Sequence, residues 1–153
     1  MFHYLLFIAF ALFASCHSTK MDPRYSQLHW ERIRVENKLR LEKEGFYEVG
    51  GGIAFQSELT KVFGDYTTAK YCFSSIDEAR KLYYQVFDEF AKSFPEIERE
   101  QIALGIIFVN AGNRPLEEPY IAMVRNTSGH VVYSFYDAKT KTYYPLHVEY
   151  VQK

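Results

Sequence analysis

The chain opens on an apolar run, Tyr4 to Ser15 (YLLFIAFALFAS), and no Asp, Glu, Lys or Arg precedes Cys16. Past a short polar stretch the pattern becomes helical. Asp22-Pro23 supplies a cap and a first helical residue, and neither Gly nor Pro recurs until Gly45, the residue type favoured just beyond a helix end. Tyr25, Leu28, Val35 and Leu39 keep helical spacing, with Trp30, Ile33 and Leu41 widening the stripe, so a first helix of about 20 residues should pack one face. Gly45 to Val49 and Ile53 to Phe55 flank Gly50-Gly51-Gly52, which reads as a strand interrupted by a glycine bend or bulge. Thr60 to Phe73 is rich in β-favouring residues with one break at Gly64-Asp65 and predicts a strand. Ser75-Ile-Asp-Glu78 has the form of a capping box. Ile76, Ala79, Leu82, Tyr83, Val86, Phe87 and Phe90 then recur at three and four, a wide aromatic face for a second helix that Pro95 stops.

Ile102 to Val109 is a continuous apolar run, as expected of a central strand buried on both faces. Asn110 to Pro119 carries turn residues and two prolines and forms the longest irregular connection. Tyr120–Arg125, His130–Asp137 and Thr142–Val151, separated by short turns, predict an antiparallel meander, with Pro145 placing the last strand at an edge or giving it a bulge. The class expected is α+β: a mainly antiparallel sheet of five or six strands packed with two amphipathic helices and ending in a three-strand meander.

The apolar N-terminal run is twelve residues long, whereas a membrane-spanning helix needs about 20. Its length and position match a secretory signal, residues 1–15, followed by a tether, 16–21, and a single domain, 22–153. The run ends in Phe13-Ala14-Ser15-Cys16, which resembles the lipobox of bacterial lipoproteins. That resemblance implies diacylglycerol on Cys16, which would become the first mature residue and hold the protein to a membrane of the cell envelope. An ordinary cleavage site beside an unmodified Cys16, giving a freely secreted protein, is the competing expectation. The spacing from the first helix through the glycine triplet to Ser75-Ile-Asp-Glu-Ala-Arg80 is similar to small exported bacterial proteins of unknown function, a resemblance that carries no catalytic motif.

Composition narrows the functional classes. The 13 Phe and 13 Tyr favour a packed, sheet-containing domain. A net charge of -1 with both signs interspersed makes no field for gathering phosphates, so nucleic acid is not an expected partner. The two cysteines are Cys16 and Cys72. If Cys16 is acylated, Cys72 lacks an intrachain partner, and its apolar surroundings predict a buried, inert thiol; a Cys16 to Cys72 disulfide would exclude the lipid.

Motifs for chemistry are sparse. No two histidines stand at zinc-ligand spacing on one helix, and no metal or cofactor is expected. His130 and His147 fall on neighbouring predicted strands and would meet across the sheet only as ordinary sheet histidines. Cys72, His130 and Asp137 are the residue types of a thiol hydrolase, but nothing places Cys72 beside a base. Asn126-Thr127-Ser128 matches a glycosylation acceptor and equally a turn, and Glu117-Glu118 reads as solvated charge. Catalytic residues are therefore assigned nowhere. The leading expectation is a lipid-anchored envelope protein that binds a protein partner or stabilises an assembly through a sheet face, an edge strand or the loop containing Asn110, Asn113 and Arg114. The second is a small-ligand binder or hydrolase with a site between the second helix and the sheet, where Tyr83, His130 and His147 would converge.

Overall fold

The computed structural model describes residues 23–56, 59–127 and 129–152, with side chains described from Gln27 onward except at 56–59 and 128. The expected signal segment, Cys16, the tether and the Asp22 cap lie outside the described residues. Helix α1 spans Pro23–Lys43, β1 Tyr47–Gln56, β2 Leu59–Thr68, α2 Ile76–Lys92, β3 Ile102–Phe108, β4 Met123–Thr127, β5 His130–Asp137 and β6 Thr142–Tyr150. A short 3₁₀ turn, Arg99–Gln101, leads into β3. The six strands form one sheet in chain order, β1-β2-β3-β4-β5-β6. Every neighbouring pair is antiparallel except β2 and β3, which are parallel and joined through α2. This is the expected α+β class with its β4–β6 meander.

Both helices cover one face of the sheet. Helix α2 buries Ala79, Tyr83, Tyr84, Val86, Phe87, Phe90 and Ala91. The sheet meets them with Val62 and Tyr66 of β2, Ile102, Leu104, Ile106 and Phe108 of β3, Val124 of β4, and Val131 and Tyr133 of β5. Alternation along each strand sends these residues to the same side. Full burial of one such large side chain contributes about 1.5–3 kcal/mol. α1 joins α2 through Trp30 against Phe94, ring centroids 5.9 Å apart, and through the Ser93 hydroxyl, which donates to Asn37 at 3.1 Å. Gly45 ends α1 with φ 92°, its N–H donating to Glu42 and that of Phe46 to Leu41, the two bonds of a Schellman cap.

Several sequence expectations need correction. On α1 the residues facing the core are Trp30, Ile33, Asn37 and Leu41, while Leu28, Val35 and Leu39 are exposed. Two apolar stripes share this helix, and the aromatic one found the larger surface to bury. Ser75 caps α2 by position, yet its side chain makes no capping bond; its carbonyl accepts from Ala79 at 3.2 Å. Strand β2 runs straight through Gly64-Asp65 and stops at Thr68 instead of Phe73. In the loop beyond, Tyr71 and Phe73 stack on one another and pack on the core, turning Cys72 outward. Cys72 is exposed, not buried. β3 is buried on one face; Ala103 and Ile107 on the other are half-buried because nothing described covers them.

The glycine triplet lies inside β1, where the register shifts between Glu48 and Gly50. This is the bulge reading, with two of the glycines making room. A Cβ on Gly51 would stand 2.9 Å from the Arg34 guanidinium, and one on Gly52 2.8 Å from the Phe63 ring. The Arg34 so admitted donates to Glu48 at 2.5 Å and to Glu31 at 2.9 Å, pinning α1 onto β1.

Candidate functional site: the helix-free face of the sheet

Strand alternation that fills one face leaves the other to solvent, and the register assembles that second face in rows. Across all six strands run Gly50, Asp65, Gly105, Arg125, Val132 and Val148. On one side of this row stand Phe63 and Ala103, with His130 paired to Tyr150. On the other side stand Tyr47, Thr67, Ile107, Met123 and Ser134. Tyr150 is 79% exposed, Val148 51% and Phe63 39%. Six strands at about 4.8 Å and three rows at about 7 Å give a flat surface of roughly 500 Å². The face is mixed: Phe63, Val148 and Tyr150 are its exposed apolar groups, Asp65 and Arg125 stand between them, Lys61 is exposed beyond Phe63, and Gly105 and Ser134 are buried.

The centre of the face holds an ion pair. Arg125 donates to Asp65 at 3.0 Å across the intervening Gly105. A Cβ on Gly105 would fall far inside van der Waals distance of the Asp65 carboxylate, so the glycine is the floor over which the pair closes. A charge that finds its partner within the same surface leaves that surface open to an apolar neighbour.

The two edges of the sheet are blunted by comparison. β1 carries the bulge at Val49, and β6 contains Pro145, with a second register shift opposite Tyr133 and Ser134. Pro145 lacks an N–H, and each bulge interrupts the row of groups that an added strand would need.

The structure disperses the residues flagged in the sequence. Tyr83 is wholly buried, its hydroxyl donating to the Leu104 carbonyl at 3.2 Å, and burial holds the phenol well above its ordinary pKa. The space between α2 and the sheet is filled by Tyr83, Phe87 and Phe90, which removes the groove expected to take a ligand. His130 and His147 lie on opposite faces: His130 packs on Tyr150, ring centroids 4.7 Å apart and tilted, whereas His147 faces Tyr133 at 5.8 Å on the helix side. His130 and Asp137 bound the same eight-residue strand and are therefore about 23 Å apart, so the thiol-hydrolase grouping does not assemble. Asn110 organises its own turn, accepting at its side-chain oxygen from the N–H of Gly112 at 2.9 Å and of Arg114 at 3.1 Å. Asn113 takes a left-handed φ of 57° beside it, and Arg114 is exposed. Asn126, read as part of a turn, is a buried residue of β4. Its oxygen accepts from Leu104 N–H at 2.5 Å and its amide donates to Ile102 O.

One polar constellation escaped the sequence reading. Arg80 of α2 donates to Glu149 of β6 through Nε, 2.8 and 3.1 Å from its two oxygens, and pairs with Asp77. Tyr133 donates to Glu149 at 2.7 Å, and His147 Nε2 lies 3.4 Å from it. The Glu149 contact holds Arg80 above its ordinary range. Burial first, and Glu149 second, do the same for Tyr133. For Glu149 itself burial pushes upward, but the bonds from Arg80 and Tyr133 outweigh it and leave the carboxyl lowered. These groups satisfy one another and lock β6 to α2, a mechanical role. Tyr133, His147 and Glu149 would have signalled it only if the register of the last hairpin were known.

Surface clefts are shallow. One of about 290 Å³ lies beside the 110–119 loop, lined by Glu117, Glu118, Phe135, Tyr136, Asp137 and Tyr144. Glu117 and Glu118 are exposed there, as expected of solvated charge. Among the described residues no three His, Cys, Asp or Glu side chains converge as a metal site, and no helix is long and apolar enough to cross a membrane. No protein-family model, curated protein or solved structure matches the chain.

Proposed function

We propose that the chain is a lipid-anchored protein of a bacterial cell envelope that works as a binding or assembly module, engaging a protein partner through the helix-free face of its sheet. The observation that carries the reading is that face itself, on which exposed Phe63, Val148 and Tyr150 flank an ion pair, Asp65 with Arg125, that is internally closed. The partner it suits is a protein presenting a flat apolar patch without a net charge, since an ionic partner would have to break the central pair. Lipid on Cys16 supplies the membrane attachment in this proposal, resting on the Phe13-Ala14-Ser15-Cys16 pattern.

Two experiments test the two halves. Mass spectrometry of the N-terminal peptide from envelope fractions is expected to find diacylated Cys16, with membrane association lost in Cys16→Ala. An unmodified terminus would end the anchor proposal. Photo-cross-linking residues placed at Phe63 and Val148 are expected to trap one and the same envelope protein, with no adduct from Gln85 on the exposed side of α2 and none from either face position once Val132→Arg is added. Equal labelling from Gln85 would remove the face as the binding surface.

A further inference from the structure

Helix α1 carries an apolar stripe on the side that the sheet does not use. Leu28, Val35 and Leu39 point away from the core and are 68%, 43% and 53% exposed. Together with Arg32 and Glu42 they occupy positions spaced four, three, four and three along the helix. That alternation winds one narrow seam, the a/d spacing of a two-helix coiled coil. Single exposed leucines are ordinary on a protein surface, but α1 is already fixed by Trp30, Ile33, Leu41 and the Arg34–Glu48 pair, so its own packing leaves the seam unexplained.

We propose that the Arg32 to Glu42 part of this seam is covered by the same part of a second copy, the two α1 helices running antiparallel about a two-fold axis and leaving Leu28 beyond the overlap. The charges choose the occupant. Val35 and Leu39 lie symmetrically about the level of Asn37, and so do Arg32 and Glu42. A two-fold that seats Val35 against Leu39 of the second copy therefore brings Arg32 against its Glu42, and the symmetry repeats both contacts. A parallel pairing would instead oppose arginine to arginine and glutamate to glutamate. Within one chain these charges are held loosely, Arg32 to Glu36 at 3.9 Å and Lys38 to Glu42 at 4.0 Å, and are available to pair across the axis. A lipid surface fits less well, because Glu31, Glu36 and Glu42 alternate with Arg32, Lys38 and Lys43 around the seam and leave no cationic rim for anionic headgroups.

In this register the helices overlap for about 13 residues, roughly 20 Å of helix, so the contact is small beside a standard interface of about 800 Å² per partner. The dimer is accordingly a weak one. Confinement of the chain to a membrane would raise its effective concentration; that last step rests on the proposed anchor, whereas the dimer does not.

Sedimentation velocity of the full chain in a non-ionic detergent, from about 1 to about 300 μM, tests the proposal, with circular dichroism confirming the fold of each variant. The wild type is expected to pass from monomer to dimer. Arg32→Glu and Glu42→Arg are each expected to weaken the dimer at least tenfold, and the double variant to restore it; Leu39→Glu is expected to abolish it. Val132→Arg on the sheet face should leave it intact, which separates this outcome from the fate of the partner-binding proposal. A monomer throughout, a dimer indifferent to Leu39→Glu, or a double variant no better than the single ones would overturn it. So would the finding that Leu39→Glu removes vesicle binding by a chain that never dimerises.

Discussion

The two faces of this sheet are made from the same strands and obey different rules. On the helix side, Leu104, Ile106, Phe108, Tyr133 and Phe87 are fully buried and interlock around aromatic rings. On the opposite side stand Ile107, Val132 and Val148, half-buried or exposed, with Gly105 beneath the Asp65–Arg125 pair. The first surface is specified by volume, because any change leaves a hole or a clash. The second is specified by what it leaves out: bulk at Gly105, unpaired charge at Asp65 and Arg125, and a covering element. Stability belongs to one face and availability to the other.

The sharpest way to break the comparison is to remove matched apolar groups from each side. Phe87→Ala is expected to cost about 3–5 kcal/mol in urea unfolding, and Val148→Ala to stay within about 0.5 kcal/mol. Comparable losses would mean that the second face is buried in solution. Next comes Asn126→Ala, which strands the Leu104 N–H and the Ile102 carbonyl in the interior and is expected to cost about 2–3 kcal/mol.

A smaller effect concerns the junction of α2 and β6. Glu149 has a lowered carboxyl in the folded chain, so its stabilisation is fully present above the unfolded carboxyl value of about 4.3. It disappears as pH falls through the lower folded value. Glu149→Gln should reduce stability by about 1–3 kcal/mol at neutral pH and narrow its gap from the wild type below about pH 4. A constant gap across that range would show that the pair contributes no proton linkage. The smallest effect runs the other way. Among the described residues the buried Tyr66 hydroxyl has no partner at full hydrogen-bonding geometry, though it lies close enough to Glu48 that burial first and that carboxylate second hold the phenol above its usual range. Tyr66→Phe should therefore leave the melting temperature unchanged or raise stability by up to about 1 kcal/mol. A loss would reveal a partner for that oxygen.

Elements with a dominant period were legible in the sequence. Helix α2 has one apolar face and no rival, and the meander is punctuated by short polar turns, so both could be placed before any coordinates. Helix α1 has two stripes, and spacing alone ranks Leu28, Val35 and Leu39 equal to Trp30 and Leu41; only the sheet decides between them. Cys72 failed for a related reason. Neighbours in an extended segment point opposite ways, so the apolar Tyr71 and Phe73 that suggested burial are what turn the thiol outward. The site was less legible still. Asp65, Gly105 and Arg125 sit 40 and 20 positions apart in the chain, and their meeting is a fact of register, which no local pattern contains. The parallel pairing that brings the first two together was invisible as well, since a strand looks the same whichever way its neighbour runs.

That parallel joint also sets the order in which the chain can assemble. The β1–β2 pair and the β4–β6 meander join strands that follow closely in the chain, so each can form from residues near in sequence. Joining them requires Val62 to find Ile102, forty positions away, with α2 laid across the gap. Contacts that distant are reached late and slowly. The protein is in this sense two local halves waiting for one seam, and its folding rate should answer to substitutions along β2 and β3, which form that seam, far more than to those in β1, β5 or β6.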